Sequence, residues 1–314
     1  MDLPDVCLFL HECQERGQDS VLVTVCAVEG SSMRNPGTIM GIAQDGSFAG
    51  SLSGGCIEQA VVAEALDVLK TGVPRVVRFG AGSPYLDIKL PCGGGLDLHF
   101  CPLGRSDFAS GCLRAIRGRI PFSIRVGAQA AEPVSQWCKT AFNAETGEGV
   151  FGHWPTPRLQ IIGHGAGVEA LARLGRTMGC NARVLTPDER IIKALRADGV
   201  EADLIKRRTQ IEMLQSDAWT ANIFLFHDHD WEIDLIAGAL LEPHFYIGAM
   251  GGRKAHAMRS DGLQAKGITQ AQLETIRAPI GVFHSSRDPQ TLALSTLTEV
   301  IRTYQGTDFG AAFG

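Results

Sequence analysis

The run Ser51-Leu52-Ser53-Gly54-Gly55-Cys56-Ile57-Glu58 places a thiol, two hydroxyls and a carboxylate around a pair of glycines, and residues 57–70 behind it are rich in Ala, Val, Leu and Glu. The glycines permit a tight turn, and a helix that starts there aims unpaired amides and the positive end of its dipole back at that turn. Such a turn suits an anion and favours a thiolate, which makes Ser53, Gly54, Gly55, Cys56 and Glu58 candidates for a binding site. A buried cysteine at a helix start is the plainer alternative. In Pro91-Cys92-Gly93-Gly94-Gly95, three glycines after a cysteine fit a backbone pressed against a ligand or against a neighbouring strand. Gly30-Ser31-Ser32-Met33-Arg34-Asn35-Pro36-Gly37 offers hydroxyls, amides and a guanidinium whose fork matches phosphate oxygens. Without context it reads equally as a connecting loop.

Further candidates lie in the second half. Ile161-Ile162-Gly163-His164-Gly165-Ala166-Gly167-Val168 sits between a strand pattern and a helix pattern, the setting in which Gly-x-Gly cradles a pyrophosphate. Gly163 and Gly165 would receive phosphate there, and Asp188, about 25 residues on, is placed to hold a ribose. Val168 stands where a third Gly or Ala is usual, so the fingerprint is incomplete. Phe226-His227-Asp228-His229-Asp230 reads as a polar strand end facing a crevice, with metal ligation as the minor reading. The glycine turn before Arg253 and Lys254, and the run Ser285-Ser286-Arg287, are either phosphate contacts or surface polarity.

These residues need elements to hold them. Residues 3–16 read as a helix and 20–28 (SVLVTVCAV) as a buried strand. Strands over 38–43, 73–79, 85–90, 96–100 and 120–126 accompany a helix over 57–70. From 159 onward strands at 159–162, 182–185, 221–226, 245–247 and 280–283 alternate with helices at 168–178, 188–197, 234–241 and 291–304. That alternation defines a parallel sheet covered on both faces. The expected fold class is α/β, with an N-terminal mixed α/β domain over 1–142, a Gly- and Pro-rich linker over 143–157 and a Rossmann-like domain over 158–314.

Composition narrows the function. A net charge of −5 with scattered Lys and Arg disfavours nucleic-acid binding. No apolar run approaches the roughly 20 residues that span a bilayer, and residues 1–5 lack a basic region leading into an apolar stretch, so a cytoplasmic protein is expected. Nine cysteines without a CxxC pair disfavour both a disulfide framework and a structural zinc site. A homodimer is the default assembly.

The segments GSSMRNPGTIM (30–40), DGSFAGSLSGGCIE (45–58), PCGGG (91–95), IIGHGAGV (161–168), PDER (187–190), HDHDWEIDLIA (227–237), YIGAMGGRKAHAMR (246–259) and APIGVFHSSRDPQTLALSTLTEVI (278–301) together resemble the XdhC/CoxI family of molybdoenzyme accessory proteins. The resemblance covers most of the chain. It implies a maturation factor in preference to an enzyme and leaves open any turnover of its own. Such a protein binds molybdenum cofactor (molybdopterin, or its cytosine dinucleotide form), assists its sulfuration and inserts it into an apo-molybdoenzyme of the xanthine dehydrogenase or aldehyde oxidoreductase type. The implied partners are that enzyme's large subunit, a cysteine desulfurase and a cofactor nucleotidyltransferase.

On this reading Cys56 and Cys92 are expected to come together near the molybdenum, since soft thiolates suit a metal–sulfur centre. Ser31, Ser32 and Arg34 would hold polar parts of the cofactor, with Gly93 beside them. One competing function is an NAD(P)-dependent oxidoreductase working at the Rossmann-like turn. It needs an acid–base group, for which His227 and His229 are the candidates. Another is a chaperone that holds an apo-subunit and touches no cofactor.

Overall fold

Helix α1 (Leu3–Glu15) opens the computed structural model, which describes residues 3–30, 34–83, 93–283 and 286–313. Pro4 falls in its first turn, where a missing N–H removes no hydrogen bond, and Val6, Cys7, Leu10 and Cys13 form its buried stripe. The chain divides into two units, residues 1–155 and 156–314.

In the first unit, β1 (Ser20–Glu29), β2 (Ile39–Ala43) and β3 (Phe48–Ala49) precede α2 (Glu58–Thr71), followed by β4 (Arg75–Gly80), β5 (Gly95–Pro102) and α3 (Phe108–Arg117). These strands make an antiparallel sheet ordered β3-β2-β1-β5-β4. Strand β1 is mostly apolar because both its faces are covered. Val21, Val23 and Val25 pack with Val61, Ala65 and Val68 of α2, whereas Leu22 and Cys26 belong to the cluster of α1, α3 and a second sheet. Helix α2 ends at Gly72, whose left-handed backbone (φ 70°) lets its N–H donate to the Val68 carbonyl.

The second sheet joins β6 (Phe122–Val126), β7 (Ala131–Val134), β8 (Ala141–Asn143) and β9 (Glu148–His153) in the order β7-β6-β9-β8. Residues 143–157, expected as a linker, therefore contain a strand. Phe151 is fully buried opposite Ile124, and that burial holds the segment in the sheet despite its glycines. Gly111 in α3 allows close approach to β7, since a Cβ there would lie 2.6 Å from Pro133.

A buried and a half-buried imidazole give this unit a pH dependence. Burial pushes His153, which packs against Phe122 with ring centroids 5.4 Å apart, down to about 4. Burial also lowers His99, whose Nε2 meets the Gly127 carbonyl at 3.1 Å. An unfolded histidine takes a proton near 6.5 and these folded ones do not. Their contribution to stability is therefore complete above that value and is lost as pH falls from there through the lowered folded values, about 4 for His153. For His153 the loss should be about 2 kcal/mol, discounted for its partial contact with solvent. Urea unfolding from pH 7 to 4 should show a flatter decline in His153→Phe; parallel declines in variant and parent would refute the assignment.

In the second unit, β10 (Arg158–Gly163), α4 (Ala166–Thr177), β11 (Asn181–Thr186), α5 (Glu189–Ala197) and β12 (Glu201–Leu204) are followed by β13 (Thr220–Leu225), α6 (Glu232–Ala239), β14 (Tyr246–Ala249), α7 (Arg253–Gln264), α8 (Gln270–Leu273), β15 (Ile276–Arg277) and α9 (Pro289–Gly306). The six-stranded parallel sheet runs β12-β11-β10-β13-β14-β15, and apolar clusters cover both its faces. This is the doubly wound Rossmann order, with its reversal between β10 and β13.

The sheet interior carries one polar ladder. Gln160 donates to Asn222 at 2.7 Å, and Arg183 donates to Gln160, to Glu201 and to the Met213 carbonyl at 3.2, 2.8 and 2.9 Å. The expected strand at 280–283 does not form. There the Gly281 and Phe283 amides donate to Glu299 and Ser295 of α9, both at 2.8 Å, and the last strand is the short β15.

Candidate functional site

Strand register brings the N-terminal motifs to one end of the first sheet. Glu29 closes β1 opposite Gly95, which opens β5 and also faces Gly80 at the close of β4. On the other side β2 begins opposite Thr24, and β3 runs beside it to end at Ala49, opposite Gly41. Gly30 and the segments at 34–38, 50–57, 81–83 and 93–94 therefore all lie at the same sheet end. Two of them touch, because a Cβ on Gly30 would lie 3.3 Å from Gly94 Cα. Leu52 and Ile57 anchor the Cys56 loop in the apolar cluster that holds Val25, Phe79 and Leu96.

The loop itself is folded around Glu58. The carboxylate is 7% exposed. Its Oε1 accepts from the Ser51 hydroxyl and from the Leu52 and Ser53 amides at 3.0, 3.2 and 3.0 Å. Its Oε2 accepts from the Ser53 hydroxyl at 2.7 Å and the Ile57 amide at 3.1 Å. Burial alone would raise this carboxyl, but the hydrogen bonds from Ser53 and the loop backbone outweigh it and bring the group down to about 2. The Gly54 amide donates to Ser51 Oγ, and those of Cys56 and Ile57 to Ser53 Oγ. Gly54 and Gly55 curl outward with φ of 78° and 109°.

The amides expected to face an external anion are thus turned inward. Ser53 and Glu58 build the loop, and Gly54, Gly55 and Cys56 form its exposed tip. Cys56 is not the buried thiol of the plainer reading.

The glycines near Cys92 separate into two roles. A Cβ on Gly95 would lie 2.6 Å from Arg78 Nη2, so that glycine makes room for a neighbouring strand. Arg78 pairs with Glu29, reaches Asp97 at 3.1 Å and donates to the Ala81 carbonyl at 2.6 Å, tying three strand ends together. Gly93 has a left-handed backbone (φ 68°), and a side chain there would meet nothing within 4 Å. Arg34 lines a cavity of ≈210 Å³ with Thr38, Gly152 and His153. Ser31, Ser32 and Cys92, and the expected strand at 85–90, lie outside the described residues.

In the second unit a cavity of ≈260 Å³ opens at the β10/β13 reversal, lined by His164, Gly167, His227, Met250, Ser286 and Arg287. The two glycines of the turn differ. A Cβ on Gly163 would lie 2.4 Å from the Leu225 carbonyl oxygen, whereas one on Gly165 would meet nothing within 4 Å. Gly163 therefore serves strand approach, and only Gly165 (φ 92°) faces open space. Gly163→Ala should destabilise by about 2–3 kcal/mol through overpacking, and Gly165→Ala by about 1–2 kcal/mol through its left-handed backbone. Urea titrations showing the reverse ranking would contradict this division.

Helix α4 starts at Gly165 with no side-chain cap, while Asp288 caps α9 by accepting from the Thr291 amide at 2.8 Å. The dipole left open to the crevice is that of α4. Asp188, expected to hold a ribose, caps α5 through the Arg190 amide and pairs with the Arg190 guanidinium at 2.8 Å. Its carboxylate thus serves as a helix cap and pairs with an exposed guanidinium.

His227 is exposed, its ring centroid 5.8 Å from that of His164; the His229 side chain is outside the described set. Among the described residues no cluster of His, Cys, Asp and Glu has metal-site geometry, and no helix is long and apolar enough to cross a membrane.

Sequence reasoning missed Arg78 and the structural use of Ser51, Ser53 and Glu58. The S-x-S-x₄-E spacing was the available signal, but carboxylates that accept from their own loop look like ligand-facing ones until the backbone is seen.

This arrangement, an antiparallel motif-bearing unit followed by a Rossmann unit, belongs to the XdhC/CoxI family. Residues 13–80 match the XdhC and CoxI family and residues 159–300 the XdhC Rossmann domain. The molybdenum cofactor insertion chaperone PaoD of Escherichia coli (strain K12) is 32% identical over 96% of this chain and 89% of its own. The uncharacterized protein YqeB of the same organism is 18% identical over 92% of this chain and 44% of its own. A crystal structure described as a xanthine dehydrogenase from Bacillus halodurans superposes with a TM-score of 0.78 at 18% identity, covering 98% of this chain and 97% of that one, a likeness of fold.

Proposed function

We propose that this chain binds molybdenum cofactor as cargo and delivers it to an apo-molybdoenzyme of the xanthine dehydrogenase or aldehyde oxidoreductase type. The observation that carries this reading is the 32% identity, sustained over 96% of the chain, to a protein named a molybdenum cofactor insertion chaperone. The geometry is compatible with it. Cys56 is an exposed thiol at the sheet end that also carries the Arg34 loop and Gly93, the residue next to Cys92. A soft thiolate pair there would meet the metal–sulfur end of the cargo. Assistance to sulfuration, with a cysteine desulfurase and a cofactor nucleotidyltransferase as further partners, belongs to the same proposal.

The open start of α4 beside a ≈260 Å³ crevice supports a nucleotide phosphate there, from the cytosine dinucleotide form of the cofactor or from a free nucleotide.

The test is to purify the protein from cells with active cofactor biosynthesis and measure molybdenum and pterin fluorescence. Near-stoichiometric molybdenum with pterin is expected. Protein free of both, while a co-produced molybdoenzyme is loaded, would refute the cargo reading.

A further inference from the structure

We propose that Glu58 is a positioning residue: its carboxylate occupies the centre of the Cys56 loop, where an anionic ligand would otherwise sit, and fixes the thiol at the tip for the metal–sulfur end of the cargo. The inference rests on the cargo reading above and adds a division of labour to it. The loop meets its cargo through sulfur and not through its amides.

The argument is one of saturation. The amides of Leu52, Ser53 and Ile57 donate to Glu58, and those of Gly54, Cys56 and Ile57 to Ser51 Oγ or Ser53 Oγ. The backbones of Gly55 and Glu58 also stabilise the carboxylate. Five of the seven amides from 52 to 58 are thus turned to the inside by hydrogen bonds, which leaves the loop no ring of amides to cradle a phosphate. Both serine hydroxyls are consumed as well, each donating to Glu58 while accepting from the backbone. What remains outward is the surface of Gly54 and Gly55 and the Cys56 side chain. An anion already built into the loop repels a second one, whereas a thiol held on a closed turn loses little freedom when it binds.

The variant Glu58→Gln keeps the shape but turns an acceptor into an NH₂ facing the Ser53 hydroxyl or the Ile57 amide, donor against donor. In the full chain, hydrogen exchange of amides 52–57 should rise about tenfold or more, the factor for one hydrogen bond made unfavourable. Amides in the middle of α2 should be unaffected. Molybdenum retained after co-production with cofactor biosynthesis should fall about as far as in Cys56→Ala, although Cys56 is intact. Ser53→Ala should repeat both effects and Ser53→Thr, which restores the hydroxyl, should rescue both.

Unchanged exchange with lost molybdenum in Glu58→Gln would overturn the proposal by placing the carboxylate against the cargo. Released amides with full molybdenum would overturn it by making the positioning dispensable. Full molybdenum in Cys56→Ala would instead refute the thiol's part in the cargo reading, and the exchange data would still judge whether Glu58 holds the loop.

Discussion

Cys56→Ala and Cys92→Ala, singly and together, are expected to leave a folded protein that has lost its molybdenum. Each single variant should retain about tenfold less cofactor than the parent, equivalent to about 1.4 kcal/mol of binding, and the double variant should fall to background. Cys56 is exposed, so the unfolding free energy of Cys56→Ala should change by less than about 0.5 kcal/mol. Three of the other thiols are poor substitutes. Burial pushes Cys26 up to about 12 and Cys101 and Cys180 up to about 11, which keeps them protonated and out of reach of a metal. Metal analysis of co-purified protein, with Cys180→Ala as the control, decides the matter. Parent-level molybdenum in the double variant would remove the thiols from the site.

The largest effect on stability is expected at Glu232 and Arg259, which are completely buried together in the second unit. Arg259 donates through Nε to Glu232 at 2.8 Å and through Nη2 to the Met250 carbonyl at 2.6 Å, joining α6 to the turn after β14. Glu232→Leu would leave a guanidinium in an apolar interior without its counter-ion. Breaking such a pair from one side destabilises by about 3–5 kcal/mol, whereas replacing both partners by apolar residues is far milder. Urea unfolding should therefore show a steep loss in Glu232→Leu and substantial recovery in Glu232→Leu/Arg259→Leu. A double variant as weak as the single one would show that the pair is not the unit of stability. Met250 also lines the crevice at the strand reversal, so the single variant should disturb that site too.

The Rossmann unit was legible because its strands are apolar runs separated by amphipathic helices, a pattern that survives without tertiary information. The first unit was legible where β1 is enclosed on both faces. The second sheet was not, apart from β6. Its strands are short and half-exposed, β7 contains Pro133, and β9 is Gly-rich and held by Phe151. Strand β12, Glu-Ala-Asp-Leu, has weak strand propensity and is paired only because β11 offers it an edge. The expected strand at 280–283 failed because side chains of α9 took its backbone donors. In the candidate site, residue type singled out Cys56 and its glycines, which the structure places at an exposed loop tip. The contacts that Gly163, Asp188 and Glu58 make within the protein were not legible, because they are set by neighbours remote in sequence or by the path of the backbone.

The polar ladder of Gln160, Asn222 and Arg183 has a consequence for assembly. Apolar strands such as β10 and β13 would tolerate sliding past one another, since one branched side chain replaces another with little change in contact. Three hydrogen-bonding groups at a fixed level remove that tolerance. A one-residue slip would turn them to the opposite face and bury each one unanswered. The ladder thus acts as a detent that selects the correct strand alignment, so Gln160→Leu with Asn222→Leu should yield a chain that collapses readily but settles into several alignments.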